Sequence, residues 1–338
     1  MPIFEFVLGL AALIFVHELG HFIAAKLLKV EVEEFGIGFP PRLVKLFERG
    51  GTEFTLNWIP LGGFVRPKGE NDPTVAGGLA AASPWVRLGV LFAGPMTNIL
   101  VGIILGVLLF YSLGNPVPNK VIIQEISPGS PAAESGLLPG DLFVSINGTP
   151  VDSIERLQTN TADNLGKPVT IVVRRGEELL TYTLVPRLNP PEGQGAMGVA
   201  LTNPTQPVSL ATASYRGAYA AFENVRGILL LPVRLLSGEA QPQEGRLVGY
   251  KGMFDIYQRI QSPLWFFMMI SISLGIMNLL PIPALDGGRI LLTLPELIIH
   301  RRVPAKFENA VHLVGFTLLL LLLIYINLQD FINPIQLP

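Results

Sequence analysis

The residues with the clearest chemistry are two histidines four positions apart, with a glutamate directly after the first. His17, Glu18 and His21 form the pattern H-E-x-x-H inside a largely apolar run over residues 3–28. On a helix, residues four apart share a face, and their Cβ atoms lie about 5–6 Å apart. Both imidazoles can therefore reach one zinc ion at about 2.0–2.1 Å. Glu18 would then lie beside the metal, where it could take a proton from water.

The surroundings of this motif are apolar, whereas an ordinary zinc protease carries it on a soluble helix. Ionisable groups are costly in hydrocarbon, so they indicate a functional site that faces a protein interior or a wet cavity. The run could instead be a signal peptide, but it lacks a basic start and has a charged, histidine-bearing centre. The histidines could also be satisfied by neighbouring helices without a metal.

The composition of the chain is that of a membrane protein. Hydrophobic residues make up 49% of its 338 residues, and charged residues only 15%. This length leaves room for more than one folded unit. The net charge of −2 provides no global basic field that would attract nucleic acid. Because the chain has no cysteine, the ligands of a metal must be His, Asp or Glu.

Four apolar stretches are long enough to cross about 30 Å of hydrocarbon. They cover residues 3–28, 88–113, 264–280 and 311–326. Lys and Arg cluster between the first and second stretches, and again between the third and fourth. The positive-inside rule places these two loops in the cytoplasm, and the termini and the segment 114–261 outside.

A third metal ligand is needed, because catalytic zinc usually binds three protein ligands and water. The third stretch runs into N-L-L-P-I-P-A-L-D-G-G-R at 278–289, where two prolines break the helix. Broken backbone at membrane depth is tolerated only inside protein or at a cavity. Asp286 follows the break and is the favoured ligand, although an aspartate there could also cap a helix. Rival ligands are Glu296, Glu308 and His312, of which the last two could pair with each other.

Residues 30–66 alternate weakly between apolar and polar and contain Gly and Pro breaks, which predicts two or more short strands. A plain surface hairpin would account for this pattern. Because the segment directly follows the metal-binding helix, we favour a sheet at the membrane face beside the zinc. Its edge would be open to an extended peptide.

The second apolar stretch contains Gly94-Pro95-Met96-Thr97-Asn98. A buried Asn98 needs hydrogen-bond partners in lipid. It could hold two helices together. It could equally donate to a carbonyl or oxyanion near the zinc.

Residues 114–205 have the pattern of a soluble α+β domain. The run S-P-A-A-x-x-G-L-x-P-G-D-x-x-x-x-I-N-G at 130–148 resembles that of a PDZ domain. The glycine-bearing carboxylate loop is not found before the first strand, and a candidate with Gly195, Met197 and Gly198 follows the last. This order resembles the circularly permuted PDZ domain of bacterial membrane proteases. Such a loop captures chain ends with backbone N–H groups. The domain could instead act as a steric filter.

Residues 206–261 have scattered apolar residues at helical spacing. The apolar run from Ile228 is interrupted by Pro232 and Arg234, so it is too short to span. We expect an amphipathic interfacial helix and a linker at 237–246. A plain connector is the alternative. The expected apolar face consists of Ala218, Phe222, Val225, Ile228 and Leu229.

Taken together, the motifs resemble the bacterial site-2 protease family in its RseP-like branch. The resemblance rests on H-E-L-G-H in the first stretch and G-P-x-x-N in the second. It also rests on N-x-x-P-x-P-x-L-D-G-G-R in the third stretch and on the inserted PDZ-like domain. It covers nearly the whole chain. One departure is that only one PDZ-like unit is present, where some members have two.

The resemblance implies a zinc-dependent intramembrane endopeptidase with Glu18 as catalytic base and Zn²⁺ held by His17, His21 and Asp286. Its substrates would be single-pass membrane proteins, of the anti-sigma factor or signal-peptide remnant type, already trimmed outside by another protease. The 30–66 sheet would be a membrane-reentrant β-loop. Residues implied to bind substrate are Gly62, Gly63 and Phe64 on an edge strand, and the site-lining asparagines Asn98 and Asn278.

The predicted fold class is a polytopic α-helical membrane protein with four transmembrane helices, a membrane-associated β-hairpin sheet and an inserted α+β PDZ-like domain. We expect it in the cell inner (plasma) membrane, with the PDZ-like domain extracytoplasmic. The expected segments are helix 1 with H-E-x-x-H (1–28), the β region and cytoplasmic loop (29–83), helix 2 (84–113), the PDZ-like domain (114–205), the connector (206–261), helix 3 with L-D-G-G-R and a loop (262–306), and helix 4 with the tail (307–338).

Two other functional classes fit part of the pattern. A non-proteolytic receptor or scaffold could bind through the PDZ-like domain and carry a structural zinc. Structural zinc sites are usually closed by four ligands. An acidic Glu18 directly beside the ligands therefore argues against a structural site. A transporter could also have broken helices and intramembrane charge. The single H-E-x-x-H has no inverted partner in the other half of the chain.

Overall fold

In the computed structural model, which describes residues 2–240, 245–260 and 262–334, three helices are long and apolar enough to cross a membrane. They are α1 (Pro2–Leu27), α2 (Pro84–Leu113) and α9 (Ala305–Ile332). The helix α7 (Pro263–Leu279) is equally apolar but has only 17 residues. Each of the four predicted stretches is thus helical, and a fourth full span at α7 stays a prediction.

The chain divides into two compact units, Met1–Phe110 with Leu210–Pro338, and Tyr111–Ser209. In the first unit, small residues let the helices approach closely. A Cβ added at Gly20 of α1 would meet Ala93 and Thr97 of α2. One added at Gly275 of α7 would meet Pro95 and Ile99 of α2. Small residues are the usual means of close helix contact in membranes, where lipid is as apolar as leucine.

The connector contains two helices, α5 (Leu210–Ser237) and α6 (Tyr250–Arg259). Helix α5 has 28 residues and continues through Pro232, so it is longer than we predicted. Its buried residues are Ala213, Gly217 and Ala221, spaced by four. Of the predicted apolar face, Val225 and Ile228 are partly buried, whereas Phe222 is 60% exposed. The interfacial position of this face stays a prediction. The predicted linker at 237–246 lies partly outside the described residues.

The β region consists of two strands, β1 (Val32–Arg49) and β2 (Thr52–Pro67), within the predicted number of two or more but longer than predicted. Both fold back, because residues 32–37 pair with 63–67 on one side and with 53–56 on the other. Residues 63–67 thus form an edge of this sheet within the described chain. Several large apolar side chains on these strands are exposed, among them Phe39, Leu43, Phe47, Trp58 and Ile59.

A break separates α7 from the next helix, α8 (Asp286–Ile299). Two glycines let α8 begin directly against the break. A Cβ at Gly287 would collide with the Leu280 carbonyl, and one at Gly288 with the Ile282 carbonyl. The prolines of this segment lack the N–H that a continuing helix needs.

The second unit has a central antiparallel sheet in the order β8-β7-β5-β4-β9. The unit runs in the order strand, helix, strand, helix, two strands and a final strand after the 195–198 loop. Its buried core is apolar and includes Val121, Phe143, Ile146, Leu157 and Ile171. The elements are β3 (Asn115–Pro116), β4 (Val121–Ile126), α3 (Pro131–Ser135), β5 (Leu142–Ile146), β6 (Thr149–Pro150), α4 (Ile154–Ala162), β7 (Val169–Arg175), β8 (Glu178–Leu184), β9 (Val199–Thr202) and β10 (Thr205–Gln206).

Candidate metal centre

Three side chains that could bind a metal converge between α1 and the start of α8. His17 Nε2 and His21 Nε2 lie 3.2 Å apart. Asp286 Oδ2 lies 3.2 Å from the first nitrogen and 3.3 Å from the second. Tetrahedral zinc with bonds of about 2.0–2.1 Å separates its ligand atoms by about 3.3–3.4 Å. The three atoms therefore have the spacing of three corners of a zinc site.

Hydrogen bonding on the other ring nitrogen of His21 explains why a cation fits here. His21 Nδ1 lies 2.8 Å from the carbonyl oxygen of Val90. A carbonyl only accepts, so Nδ1 carries the hydrogen, and Nε2 of the neutral ring is a bare lone pair. That lone pair faces the Asp286 carboxylate, which is also an acceptor. A cation between these atoms would turn a repulsive contact into coordination.

Asn98 has the matching position behind His17. Its amide nitrogen lies 3.2 Å from His17 Nδ1, and the residue is fully buried. Its Oδ1 is buried without a hydrogen-bond partner among the described residues. If His17 binds metal through Nε2, its Nδ1 carries hydrogen, and the Asn98 amide must then be turned by 180° so that its oxygen, in place of its nitrogen, faces Nδ1 as the acceptor. The orphaned oxygen thus supports the same ligand set. It favours a supporting role for Asn98 over the predicted contact with substrate.

Glu18 lies beside the two histidines on α1, at the wall of a cavity of about 300 Å³. Its Oε2 accepts a hydrogen bond of 3.2 Å from the backbone N–H of Val65 on β2. The same cavity is lined by His17, His21 and Asp286. A glutamate held in this position can accept a proton from a reacting water molecule.

Glycine supplies the space in which His21 lies. A Cβ added at Gly94 of α2 would collide with the imidazole of His21. The first residue of G-P-x-x-N therefore admits a ligand ring, whereas its last residue supports the other ligand. The sequence motif signalled this region, but the division of roles within it needed the structure.

The predicted edge-strand residues lie next to α1. Gly62 has φ +78°, and a Cβ there would collide with Ile14. Gly63 pairs with Ile37, and Phe64 pairs with Gly36 and lines the cavity. The strand can approach α1 this closely because position 62 is glycine, whereas a Cβ at Gly63 would collide with the Gly36 carbonyl of β1.

Asn278 also lines the cavity, and its amide nitrogen donates to the Leu274 carbonyl at 3.0 Å. Two of the three rival ligands have other partners. Glu296 is paired with Arg87 at 2.7 Å, and His312 accepts from the Ala284 N–H at 3.0 Å. Among the described residues, His17, His21 and Asp286 form the one group that could hold a metal.

In the second unit, the predicted PDZ loop lines a cavity of about 270 Å³ together with α4 and β9. Gly195, Met197 and Gly198 all belong to this lining. Gly198 has φ +75°, in the region that favours glycine. The strand that follows, β9, lies at the edge of the sheet.

Sequence reasoning missed four contacts at the metal centre. They involve the Val90 carbonyl, the Val65 N–H, the space at Gly94 and the bond from Ala284 to His312. Three of the four involve backbone atoms, which no residue type reveals. The glycine was the single one with a signal in the sequence.

Comparison with known proteins identifies a family and full-length relatives for this chain. The model of peptidase family M50 matches residues 5–322. A protein of Clostridium perfringens named as a zinc metalloprotease is 36% identical over 337 residues, which is 97% of this chain and 98% of the relative. One of Campylobacter jejuni, named likewise, is 34% identical over 348 residues, 96% of this chain and 91% of the relative.

Among solved structures, the PDZ domain of an SdrC-like protein from Listeria monocytogenes is similar to part of the chain. It has 21% identity, and the match covers 25% of this chain and 90% of that domain, with a TM-score of 0.23. The family match and the relatives cover nearly the full chain. The chain therefore belongs to peptidase family M50, the site-2 protease family, and is a zinc metalloprotease of the membrane.

Proposed function

We propose that this protein is an intramembrane endopeptidase that cleaves single-pass membrane proteins within or near their transmembrane segment. The cut would be the second in regulated proteolysis, after a first cut outside the membrane. The observation that carries the proposal is the triangle of His17, His21 and Asp286 atoms at 3.2–3.3 Å. Two of its corners belong to α1, a helix apolar and long enough to span.

In the proposed mechanism His17, His21 and Asp286 hold Zn²⁺. Bound zinc lowers the pKa of a water molecule to about 7 and polarises the scissile carbonyl. Glu18 takes the proton of the attacking water and delivers it to the leaving amine. The bond from the Val65 N–H keeps the Glu18 carboxylate turned toward the cavity. The Asn98 amide, turned so that its oxygen accepts from His17 Nδ1, and the Val90 carbonyl, which accepts from His21 Nδ1, would hold the two imidazoles with Nε2 of each facing the metal.

A transmembrane substrate must unwind before it can be cut, since a helix keeps its backbone groups in internal hydrogen bonds. The edge formed by residues 63–67 would replace those bonds by pairing with the unwound peptide. Phe64 and Asn278 would contact the peptide beside the metal. Their place in the cavity lining supports this part of the proposal.

We further propose four membrane spans, with α7 as the third, and the loops before α2 and before α9 in the cytoplasm. The second unit would then lie outside the cytoplasm, at the inner or plasma membrane of the cell. Clustered Lys and Arg in the two loops support this orientation. The exposed apolar side chains of β1 and β2 support a β region that enters the membrane face.

The second unit would bind a peptide chain end or act as a size filter. Its cavity between α4 and β9 favours binding. The cavity has the glycine loop at one end, and β9 is a sheet edge that can accept an added strand. A filter needs no such groove.

The deciding experiment uses the purified full-length protein with a model single-pass substrate in detergent or liposomes. We expect cleavage that a zinc chelator stops and added zinc restores. The variant Glu18→Gln should still bind zinc, because Glu18 is not a ligand, while turnover falls about 10²–10⁴-fold. Retained activity in that variant, or chelator-resistant cleavage, would contradict the proposal.

The same experiment separates the rival class of a receptor with a structural zinc. Such a protein would bind zinc in wild type and in Glu18→Gln alike and would cleave nothing. The three-ligand group speaks for an open position at the metal, since structural zinc usually has four protein ligands.

A further inference from the structure

We propose that His312 on α9 is a positioning residue for the metal ligand Asp286. Its Nδ1 accepts the hydrogen bond that fixes the break segment, residues 280–285, which delivers Asp286 to the site. The inference rests on the proposed function, because it concerns how the proposed metal site is held. It assigns a role to a residue that the proposed mechanism leaves unused.

The backbone of the break segment satisfies most of its N–H groups locally. Leu280 N–H bonds to the Met277 carbonyl at 3.2 Å, and Ile282 N–H bonds to the Leu280 carbonyl at 2.7 Å. Leu285 N–H bonds to the Ile282 carbonyl at 3.2 Å. The prolines have no N–H to satisfy. The remaining one, on Ala284, bonds to His312 Nδ1 at 3.0 Å, a side chain 28 residues further along.

This bond is made at the strained point of the segment. Ala284 has φ +75°, in the left-handed region that is unfavourable for a residue with a Cβ. Such conformations persist only where surrounding contacts over-determine them. Asp286 follows two residues later, so the turn at Ala284 sets the direction in which the carboxylate enters the site.

Helix α9 contacts the break segment at a second residue on the same face. Gly315 lies three positions after His312, and a Cβ there would collide with Pro283. The absence of a side chain brings α9 close enough for His312 to reach the backbone of Ala284. Two adjacent contacts thus join α9 to the two residues in the middle of the break.

The acceptor role fixes the tautomer of His312. Because Nδ1 accepts, the neutral ring carries its hydrogen on Nε2. That nitrogen is buried without a hydrogen-bond partner among the described residues. The proposal therefore assigns the whole function of the ring to Nδ1. An asparagine places its Oδ1 near the position of Nδ1, whereas a glutamine places its Oε1 near the position of Nε2.

The test compares zinc affinity in His312→Asn, His312→Gln and His312→Leu, made in the full-length protein. Zinc binding is measured by competition with chelators, and Co²⁺ absorption reports the ligand geometry. We expect the Leu and Gln variants to lose zinc affinity about 10–100-fold, the usual loss when a group that supports a ligand is removed. The Asn variant should stay close to wild type in affinity and in its Co²⁺ spectrum.

His300→Asn is the matched control, because His300 is an exposed histidine at the end of α8. Its zinc affinity should equal that of wild type. Helix content and elution volume confirm that each variant is folded. The inference is overturned if His312→Leu binds zinc like wild type, or if Gln restores affinity and Asn does not. If wild type itself binds no zinc, the proposed function fails, and this inference with it.

Discussion

The two units of the chain differ in how far they expose apolar side chains, although both bury apolar clusters and a few polar groups. In Tyr111–Ser209 the fully buried side chains are mainly apolar, such as Val121, Ile146 and Ile171 at 0% exposure. In the other unit Asn98 and Ser271 are equally buried, whereas Leu318 on α9 is 61% exposed. Water drives apolar groups inward in the first case. Lipid removes that driving force in the second, so polar contacts and small residues decide the packing.

Truncating one apolar side chain in each unit is the strongest test of this contrast. Phe143 on β5 is 2% exposed. Its change to Ala should lower the free energy of unfolding by about 3–5 kcal/mol, because a cavity forms in the core. Leu320, 46% exposed on α9, should cost about 0.5 kcal/mol or less as Leu320→Ala. Hydrogen exchange of the full-length protein in detergent measures both. Exchange in β4 and β7 should rise only for Phe143→Ala, and equal effects would refute the contrast.

A second prediction concerns a buried ion pair of the membrane unit. Arg87 is 5% exposed, and its guanidinium lies 2.7 Å from the Glu296 carboxylate. Arg87→Leu leaves that carboxylate partly buried without its partner. We expect the free energy of unfolding to fall by about 2 kcal/mol. This is less than the loss for a fully buried pair, because Glu296 is more exposed than Arg87.

The control for Arg87→Leu is the double variant Arg87→Leu with Glu296→Leu. It should recover most of the loss, because the lone charge is removed as well. The midpoint of thermal unfolding in detergent measures both variants. A double variant as unstable as the single one would show that packing of Arg87, and not its charge, is what matters.

A third and smaller effect concerns Asp141 of the unit Tyr111–Ser209. Burial would raise the pKa of its carboxyl, but hydrogen bonds from Arg175 and from the Leu138 N–H outweigh it and lower the pKa. A lowered folded-state pKa contributes stability above the unfolded value of about 3.9. That stability is lost as the pH falls through the folded value. Asp141→Asn should cost about 1 kcal/mol at neutral pH.

Hydrogen exchange in β5 and β7, measured as a function of pH, tests this. Wild type should lose protection below about pH 4, and the Asn variant should lose less over the same interval. Asp163→Asn, at an exposed aspartate, is the control for removing a charge from this unit. If that variant changes the pH profile equally, the Arg175 pair is not its source.

Sequence patterns reached those features that depend on residue type and period. Three of the four predicted apolar stretches match α1, α2 and α7 to within a few residues, and the fourth lies inside α9. The H-E-x-x-H motif and the helix break before Asp286 indicate which residues meet. The second unit is predictable because apolar core residues alternate along its strands with polar ones, and Gly and Pro mark its turns. In each case the signal is local, or it repeats along the chain.

Other features depend on contacts between distant backbone atoms and had no local signal. The strands β1 and β2 fold back on themselves, which pairing across the sheet decides. The interruption at Pro232 and Arg234 predicts that the apolar run in α5 is too short to span, and α5 is not among the described helices that could cross a membrane. Its buried residues are Ala213, Gly217 and Ala221. Small residues carry little hydrophobicity, so an apolar count overlooks the face on which they pack.

The end of β2 limits how an incoming chain can align with the sheet. Val65 already gives its N–H to Glu18, and Pro67 has none to give. A guest strand would find few free donors at that end and would have to settle further back, toward the two glycines. Glu18, the proposed catalytic base, would thereby also help to determine which peptide bond lies opposite it.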